Sequence, residues 1–167
     1  MDLSYIKENW TNKMKGDTAA SIAAWDSVAE DYVHDGSINF ANDAFLRVLL
    51  EKVPLSKDMA VLDVGCGAGA YGIALAEKVG RVVGADFSPG MLEAGRRCAS
   101  ERGISNIEFL ERDWWSCDGE EFRGGYDLAF AHTTPAIADY ASFMKMAEAS
   151  RRWCALCRPA RRRDQVS

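Results

Sequence analysis

An apolar strand that runs directly into three alternating glycines constrains the fold of this chain more than any other feature. Residues 61–69 have the sequence VLDVGCGAG, and a helical pattern follows over 70–78. Glycine is required where a chain turns with a positive φ or where a ligand approaches the backbone closely. The following helix begins with unpaired N–H groups and the positive end of its dipole. The motif therefore predicts a nucleotide-like ligand, the alternative being a tight turn without one.

From residue 59 onward, short apolar runs of β type alternate with helical stretches. The predicted strands are 59–64, 81–85, 107–110, 126–131 and 152–156, and the predicted helices between them are 70–78, 89–102 and 137–151. This alternation implies right-handed crossovers and a mainly parallel sheet with helices on both faces. Before residue 59 only two helices are predicted, over 18–33 and 43–53. We therefore expect an α/β fold, with an N-terminal helical segment (1–57) and a ligand-binding unit (58–167) in one compact body.

Composition and charge exclude several classes of protein. The 167 residues are 48% apolar and 27% charged, as in ordinary globular domains. The net charge of −5 argues against general nucleic-acid binding, although six arginines lie within residues 151–167. No stretch approaches the ~20 apolar residues of a membrane span, and the first ten residues lack a signal peptide. We therefore expect a cytoplasmic protein.

The cysteines indicate neither a disulfide framework nor a metal site. There are five of them, an odd number, and without a secretion signal reduced thiols are the default. A CxxC spacing occurs at 154–157, but no further ligands stand at the spacing that structural zinc requires. We interpret this segment as a short buried strand, and we expect no bound metal.

Two acidic positions distinguish between nucleotide-like ligands. Residues 67–72 also match GxGxxG, the dinucleotide fingerprint, but that match alone is weak. Asp86 ends the second predicted strand, 21 residues after Gly65, where a carboxylate accepts both ribose hydroxyls. Asp86 therefore fits either a dinucleotide or another nucleoside. Asp63 lies two residues before the first glycine, where its charge would repel a pyrophosphate and suits a ligand that carries positive charge.

A third acidic position follows the third predicted strand. Asp113 stands at the end of this strand and is followed by Trp114 and Trp115. A carboxylate at this place can accept a hydrogen bond from an adenine amino group, and an indole offers an apolar face to the ring. Asp113 can equally cap a turn, and either tryptophan can belong to the core.

Together these motifs resemble the class I S-adenosylmethionine-dependent methyltransferases. VLDVGCGAG resembles their glycine-rich first motif, VVGADFSPGMLEAGRR their second-strand motif, IEFLERDWW their adenine-contacting segment and YDLAFAHTTP their fourth-strand motif. The helix at 25–32 is similar to their N-terminal lid helix. The resemblance covers residues 25–157 with the core motifs in order. It implies a Rossmann-like fold, S-adenosyl-L-methionine as cofactor and S-adenosyl-L-homocysteine as product.

The resemblance also implies a role for each matching position. The glycines would lie against the methionine and ribose portions of the cofactor, and Asp63 would act near the methionine ammonium or order the loop. Phe87 and Met91 would flank adenine, while Tyr32 would close over the cofactor or pack in the core. The implied cofactor-binding set is Tyr32, Asp63, Gly65, Cys66, Gly67, Gly69, Asp86, Phe87, Met91, Asp113 and Trp114.

A sulfonium-bound methyl group is already activated, so its transfer needs chiefly orientation and desolvation of the nucleophile. A protein base matters when the acceptor must lose a proton. His132, at the end of the fourth strand, is the candidate catalytic residue, with a hydrogen bond to a loop as the alternative role. We expect a small-molecule acceptor, with neither a membrane nor nucleic acid as partner. A non-catalytic cofactor-binding or assembly module and an NAD-dependent oxidoreductase remain the alternative functions.

The sequence departs from the family pattern at its C-terminal end. The family fold has seven strands, but only Arg158–Ser167 follow the fifth predicted strand. Ten residues cannot supply a helix and two strands of about 5–6 residues each. We therefore expect a fold that lacks the last two strands, through truncation, as a natural short form, or because a homodimer covers the exposed edge strand.

Overall fold

The computed structural model describes residues 3–12, 18–33 and 37–159. The helices are α1 (Leu3–Asn9), α2 (Thr18–Ser27), α3 (Ala44–Lys52), α4 (Ala70–Ala76), α5 (Pro89–Glu101) and α6 (Tyr140–Ala149), with a 3₁₀ turn at Ala29–Tyr32. The strands are β1 (Ala60–Val64), β2 (Arg81–Asp86), β3 (Ile107–Glu111), β4 (Tyr126–His132) and β5 (Ser150–Cys157). The basic residues 161–163 and His34 lie outside the described residues.

The five strands form one parallel sheet in the order β3-β2-β1-β4-β5. The chain winds outward from β1 to β3, then returns to the other side of β1 with β4 and β5. The predicted α/β class and mainly parallel, Rossmann-like sheet are confirmed. The reversal of strand order between β1 and β4 creates a crevice at the carboxyl ends of these strands, which is where ligands bind in open α/β sheets.

Helices cover both faces of the sheet, and each face has its own core. On one face, Leu46 of α3 and Leu75 of α4 pack against Val61, Leu128 and Phe130. The opposite core consists of alternate strand residues, α6 and the segment between β3 and β4, and it includes Leu62, Val64, Ala129, Trp114, Phe122 and Met146. Because the central strands are buried on both faces, their sequences are nearly continuous apolar runs rather than alternating ones.

The N-terminal helices differ from the prediction of one helix over 18–33. Regular α-helix ends at Ser27, whose hydroxyl donates to the Ala24 carbonyl at 2.7 Å, and a 3₁₀ turn follows. Hydroxyl groups that bond to nearby backbone carbonyls commonly bend or end helices. Both pieces pack on α5, while α1 packs on α6.

The last helix and strand also depart from their predicted bounds. The helix α6 begins at Tyr140 rather than at 137 because Asp139 and Ser142 form a reciprocal capping box. The strand β5 is longer than predicted, and its Cys154 is exposed. The segment at 154–157 therefore lies in a strand, as predicted, but the prediction that it is buried is wrong. The reason is that no strand among the described residues pairs with the outer edge of β5.

None of the helices in the described ranges combines the length and apolar character needed to cross a membrane.

Candidate functional site

A cavity of about 470 Å³ opens at the carboxyl ends of β1, β2 and β4. Its volume falls in the range of about 300–1,000 Å³ that is typical of small-molecule sites. Most of the predicted site residues border it. They are Tyr32, Gly65, Cys66, Gly67, Asp86, Phe87, Met91, Asp113, Trp114 and His132. The crevice at the strand-order reversal is thus the place where the sequence-predicted residues meet.

The glycine loop forms the floor of the cavity. The N–H groups of Gly65 and Cys66 both donate to the Ala85 carbonyl, at 2.8 and 3.2 Å, which fixes the loop to β2. Gly65 has a φ of +65°, and a Cβ there would collide with Thr134. Gly67 has a φ of +54°, and a Cβ there would meet only the Met91 Sδ, at 3.8 Å. Gly67 therefore presents bare backbone to the cavity, as close approach of a ligand requires.

Asp86 lies at the end of β2, where the residue is 8% exposed. One carboxylate oxygen accepts from the Gly67 N–H at 2.8 Å and the other from the Ser88 N–H at 3.0 Å. Burial raises the pKa of Asp86, and these backbone donors oppose that shift. Each carboxylate oxygen has a further lone pair, so the group can still accept hydrogen bonds from a ligand in the cavity.

Two predicted site residues do not border the cavity. Asp63 lies within β1, 3% exposed, and it accepts a hydrogen bond from the backbone N–H of Gly72 in α4. Burial, with a smaller contribution from the negative charge of Asp86, raises the pKa of Asp63 to about 8. Gly69 caps the start of α4 and faces Phe109, whose ring would lie 2.6 Å from a Cβ at that position. These residues order the strand–loop–helix unit from beneath the cavity.

The segment after β3 contributes one wall. Asp113 borders the cavity and also caps the following turn, since its side chain accepts from the Trp115 N–H at 3.0 Å. Although Trp114 borders the cavity, its indole is 3% exposed, packs against Phe122 and donates to the Ser142 carbonyl at 3.0 Å. Trp115 is half-buried on the cavity wall and donates to the Ala136 carbonyl at 3.0 Å. Sequence reasoning weighed both tryptophans but selected Trp114.

The end of β4 forms the opposite wall. Thr133 has a φ of +50°, which is uncommon for a β-branched residue and places backbone strain at the cavity. This bend brings His132, Thr133 and Thr134 to the cavity surface. Burial lowers the pKa of His132 because it disfavours the charged imidazolium. Tyr71, which the sequence did not single out, borders the cavity beside His132.

The N-terminal helices close the remaining side. Trp25 and Tyr32 border the cavity, with their rings in edge-to-face contact at 5.8 Å. Asp26 holds this segment in place, because its carboxylate accepts from the Gly90 N–H at 2.9 Å and from the Ser88 hydroxyl at 2.5 Å. The same Ser88 donates its N–H to Asp86. Consequently, the covering segment and the buried carboxylate share one hydrogen-bond network.

A family model described as a methyltransferase domain matches residues 55–158, which is more than half of the chain. The chain is also similar to solved structures. The crystal structure of magnesium protoporphyrin IX methyltransferase (ChlM) from Synechocystis PCC 6803 with bound SAM matches with a TM-score of 0.62 at 22% identity, covering 84% of this chain and 75% of that one. At this identity the likeness shows the fold.

Two curated relatives share local similarity with the chain. Aklanonic acid methyltransferase DauC from Streptomyces sp. (strain C5) is 50% identical over 56 residues, which is 32% of this chain and 26% of the relative. A 23S rRNA (uracil(1939)-C(5))-methyltransferase RlmD from Klebsiella pneumoniae is 35% identical over 81 residues, 48% of this chain and 18% of the relative. The chain thus spans about a quarter or less of these relatives' lengths.

The expectation that excluded a nucleic-acid partner is wrong, because net charge alone does not distinguish this chain from relatives that include an rRNA enzyme.

Proposed function

This chain belongs to the class I S-adenosylmethionine-dependent methyltransferases, and from that membership we propose that it binds the cofactor in the cavity described above and transfers its methyl group to an acceptor. The observation that carries the proposal is the pairing of Asp86 with the bare backbone of Gly67. One buried carboxylate and one glycine of positive φ face the same cavity at the strand-order reversal.

The residues present fit an adenosyl cofactor. The Asp86 carboxylate has lone pairs left for two ribose hydroxyls, and hydrogen bonds to charged groups contribute about 1.5–3 kcal/mol. A Cβ at Gly67 would extend into the cavity rather than into protein, so the loop leaves room for a ligand against its backbone. Phe87 and Met91 border the cavity beside Asp86, as an adenine ring requires of its apolar neighbours.

We assign the adenine end of the site to Asp113 and Trp115 rather than to the indole of Trp114. Asp113 holds the turn with one carboxylate oxygen, which leaves the other for an exocyclic amino group. The Trp115 indole is fixed in place by its bond to Ala136, so its face is preorganised. Asp63 acts indirectly in this proposal, because it supports the loop and the start of α4 without touching the ligand.

The bound cofactor supplies an activated methyl group on a sulfonium. The chain's residues then have to orient the acceptor, exclude water and accept a proton where the acceptor must lose one. We assign the last role to His132, since burial lowers its pKa and so favours the neutral imidazole, which is the form that can accept a proton. The aromatic residues Trp25 and Tyr32 cover the cavity and exclude water from it.

We propose that residues 18–33, which border the cavity, are the part of the N-terminal segment 1–57 that covers the bound cofactor. The helix α3, also within 1–57, belongs instead to the core of the 58–167 unit.

The family membership does not support the NAD-dependent oxidoreductase alternative, and a non-catalytic module remains an outcome of the test below. A cytoplasmic location stays a prediction from the sequence.

Transfer of a labelled methyl group tests the function directly. The protein is incubated with S-adenosylmethionine that carries a tritiated methyl group, and separately with total RNA and with a small-molecule extract as acceptor pools. We expect label in at least one pool, and loss of that label in Asp86→Asn. Cofactor binding without transfer to either pool would contradict the catalytic proposal and favour the non-catalytic module.

A further inference from the structure

Three residues that are distant in sequence meet beside the end of β4. Tyr71 of α4 stacks on the His132 imidazole, with ring centroids 4.0 Å apart and planes 31° apart. The Tyr71 hydroxyl donates to one carboxylate oxygen of Asp43 at 3.1 Å. The other oxygen of Asp43 accepts from the Leu46 N–H at 2.9 Å and so caps α3. A helix cap thus anchors the ring that lies on the histidine.

We propose that Tyr71, anchored by Asp43, is a positioning residue that holds the His132 imidazole in one orientation at the cavity wall, and this inference rests on the role proposed for His132. The imidazole also contacts Phe45, with centroids 5.0 Å apart. Tyr71 and Phe45 are themselves in edge-to-face contact at 5.7 Å. Aromatic rings on two sides leave the imidazole few orientations. A catalytic base has to be held in one orientation before the methyl acceptor binds.

Several charged or titratable groups surround this stack. Asp43 on α3 favours the charged imidazolium, whereas burial under the aromatic rings disfavours it, and burial is the larger effect on the pKa of His132. Cys157 on β5 pairs with His132 in the sheet and also interacts electrostatically with Tyr71. Burial, together with the nearby Asp43, raises the pKa of Tyr71, so its hydroxyl remains a donor at neutral pH.

Tyrosine 71 is therefore not a second base in this arrangement. Its hydroxyl donates a hydrogen bond to Asp43, and its ring packs against the imidazole. The consequence for the reaction is that the His132 imidazole is held in one orientation in the free protein. Tyr71→Leu removes the stacked ring, and Asp43→Asn removes the charged partner of the Tyr71 hydroxyl. Both changes act on His132, although Tyr71 itself also borders the cavity.

Proton NMR of the histidines tests this proposal in the full chain and without any ligand. The chain has only two histidines, so His34→Gln assigns the His132 signals. A ring stacked at this distance shifts the imidazole protons upfield. We expect that shift to persist in Tyr71→Phe, which keeps the ring, and to become clearly smaller in Tyr71→Leu, where only Phe45 still contacts the imidazole. Tyr5→Leu, at an exposed tyrosine of α1, is the matched control.

The pKa of His132, measured by NMR titration, is a second readout. Two variants should shift this pKa in opposite directions. Asp43→Asn should lower the pKa of His132 because it removes a nearby negative charge, while asparagine still caps α3. Tyr71→Leu should raise this pKa because the imidazole becomes more hydrated. An unchanged ring-current shift in folded Tyr71→Leu, or an unchanged pKa in Asp43→Asn, would overturn the proposal. If Tyr71→Leu does not fold, the wild-type spectrum and Asp43→Asn decide the question, because the absence of an upfield shift in the wild type would also overturn the proposal. None of these signals requires methyl transfer, so failure here is distinguishable from failure of the proposed function.

Discussion

The buried carboxyl of Asp63 makes the stability of the protein depend on pH in an unusual direction. Most aspartates are charged in the folded state, but burial raises the pKa of Asp63 from 3.8 to about 8. Between these values the folded protein holds a proton that the unfolded chain has lost. The free energy of unfolding therefore falls as the pH rises through this window. The Asp63→Asn variant replaces the protonated acid with a neutral group of similar shape and should lose this dependence.

The size of the effect follows from the shift in pKa. One bound proton changes the free energy of unfolding by about 1.4 kcal/mol per pH unit. The dependence of the free energy of unfolding on pH falls to half of this value when the pH reaches the pKa of the folded state. Ionisation of Asp63 between pH 6 and pH 8 therefore lowers the free energy of unfolding by about 2 kcal/mol. That is a large part of the stability of a domain, which is about 5–15 kcal/mol in total.

Urea unfolding monitored by tryptophan fluorescence at pH 6, 7 and 8 measures this effect. We expect Asp63→Asn to gain stability relative to the wild type as the pH rises, whereas Asp58→Asn, at an exposed position just ahead of β1, should follow the wild type. If the stabilities of Asp63→Asn and the wild type change in parallel across this pH range, Asp63 is ionised in the folded protein and its pKa is not raised.

Further changes test the site and its supports. Asp86→Asn removes the charged acceptor and should weaken S-adenosylhomocysteine binding at least ~10-fold by calorimetry, and unchanged affinity would show that the ribose is held elsewhere. Gly67→Ala places a Cβ in the cavity at a φ of +54° and should cost about 1–2 kcal/mol in urea unfolding as well as cofactor affinity; full affinity would contradict the contact proposed for this loop. Lys145→Met removes the ammonium that donates to the carbonyls of Trp114, at 2.6 Å, and Cys117. It should cost about 1–3 kcal/mol of stability, and an unchanged urea midpoint would contradict that role.

The alternation of short apolar runs with helical stretches predicted the sheet well, because the central strands are continuous apolar runs and α3, α5 and α6 each bury one apolar face. The bounds that it missed depend on local hydrogen bonds. The capping box of Asp139 and Ser142 delays α6, and the Ser27 hydroxyl helps to end α2. The exposure of Cys154 was missed because sequence alone does not say which strand lies at an edge.

The candidate site was predictable where one motif determines both residue and position. The glycine loop and Asp86 belong to this class, since strand ends in a parallel sheet meet at one edge. The roles of residues whose side-chain direction decides whether they reach the cavity were not predictable from the sequence. Asp63 points beneath the loop, and adjacent Trp114 and Trp115 differ in whether the indole enters the core. The stack of Tyr71 on His132 joins two distant segments, and no local pattern encodes it.

Calorimetric titration with S-adenosylhomocysteine and with NAD distinguishes the two kinds of nucleotide-like ligand. We propose that the cavity above Gly67 and Asp86 binds the methyltransferase cofactor rather than a dinucleotide. We expect saturable binding of S-adenosylhomocysteine at one site, abolished or weakened in Asp86→Asn, and no heat of binding from NAD. Saturable binding of NAD with higher affinity than that of S-adenosylhomocysteine would show that the cavity is a dinucleotide site.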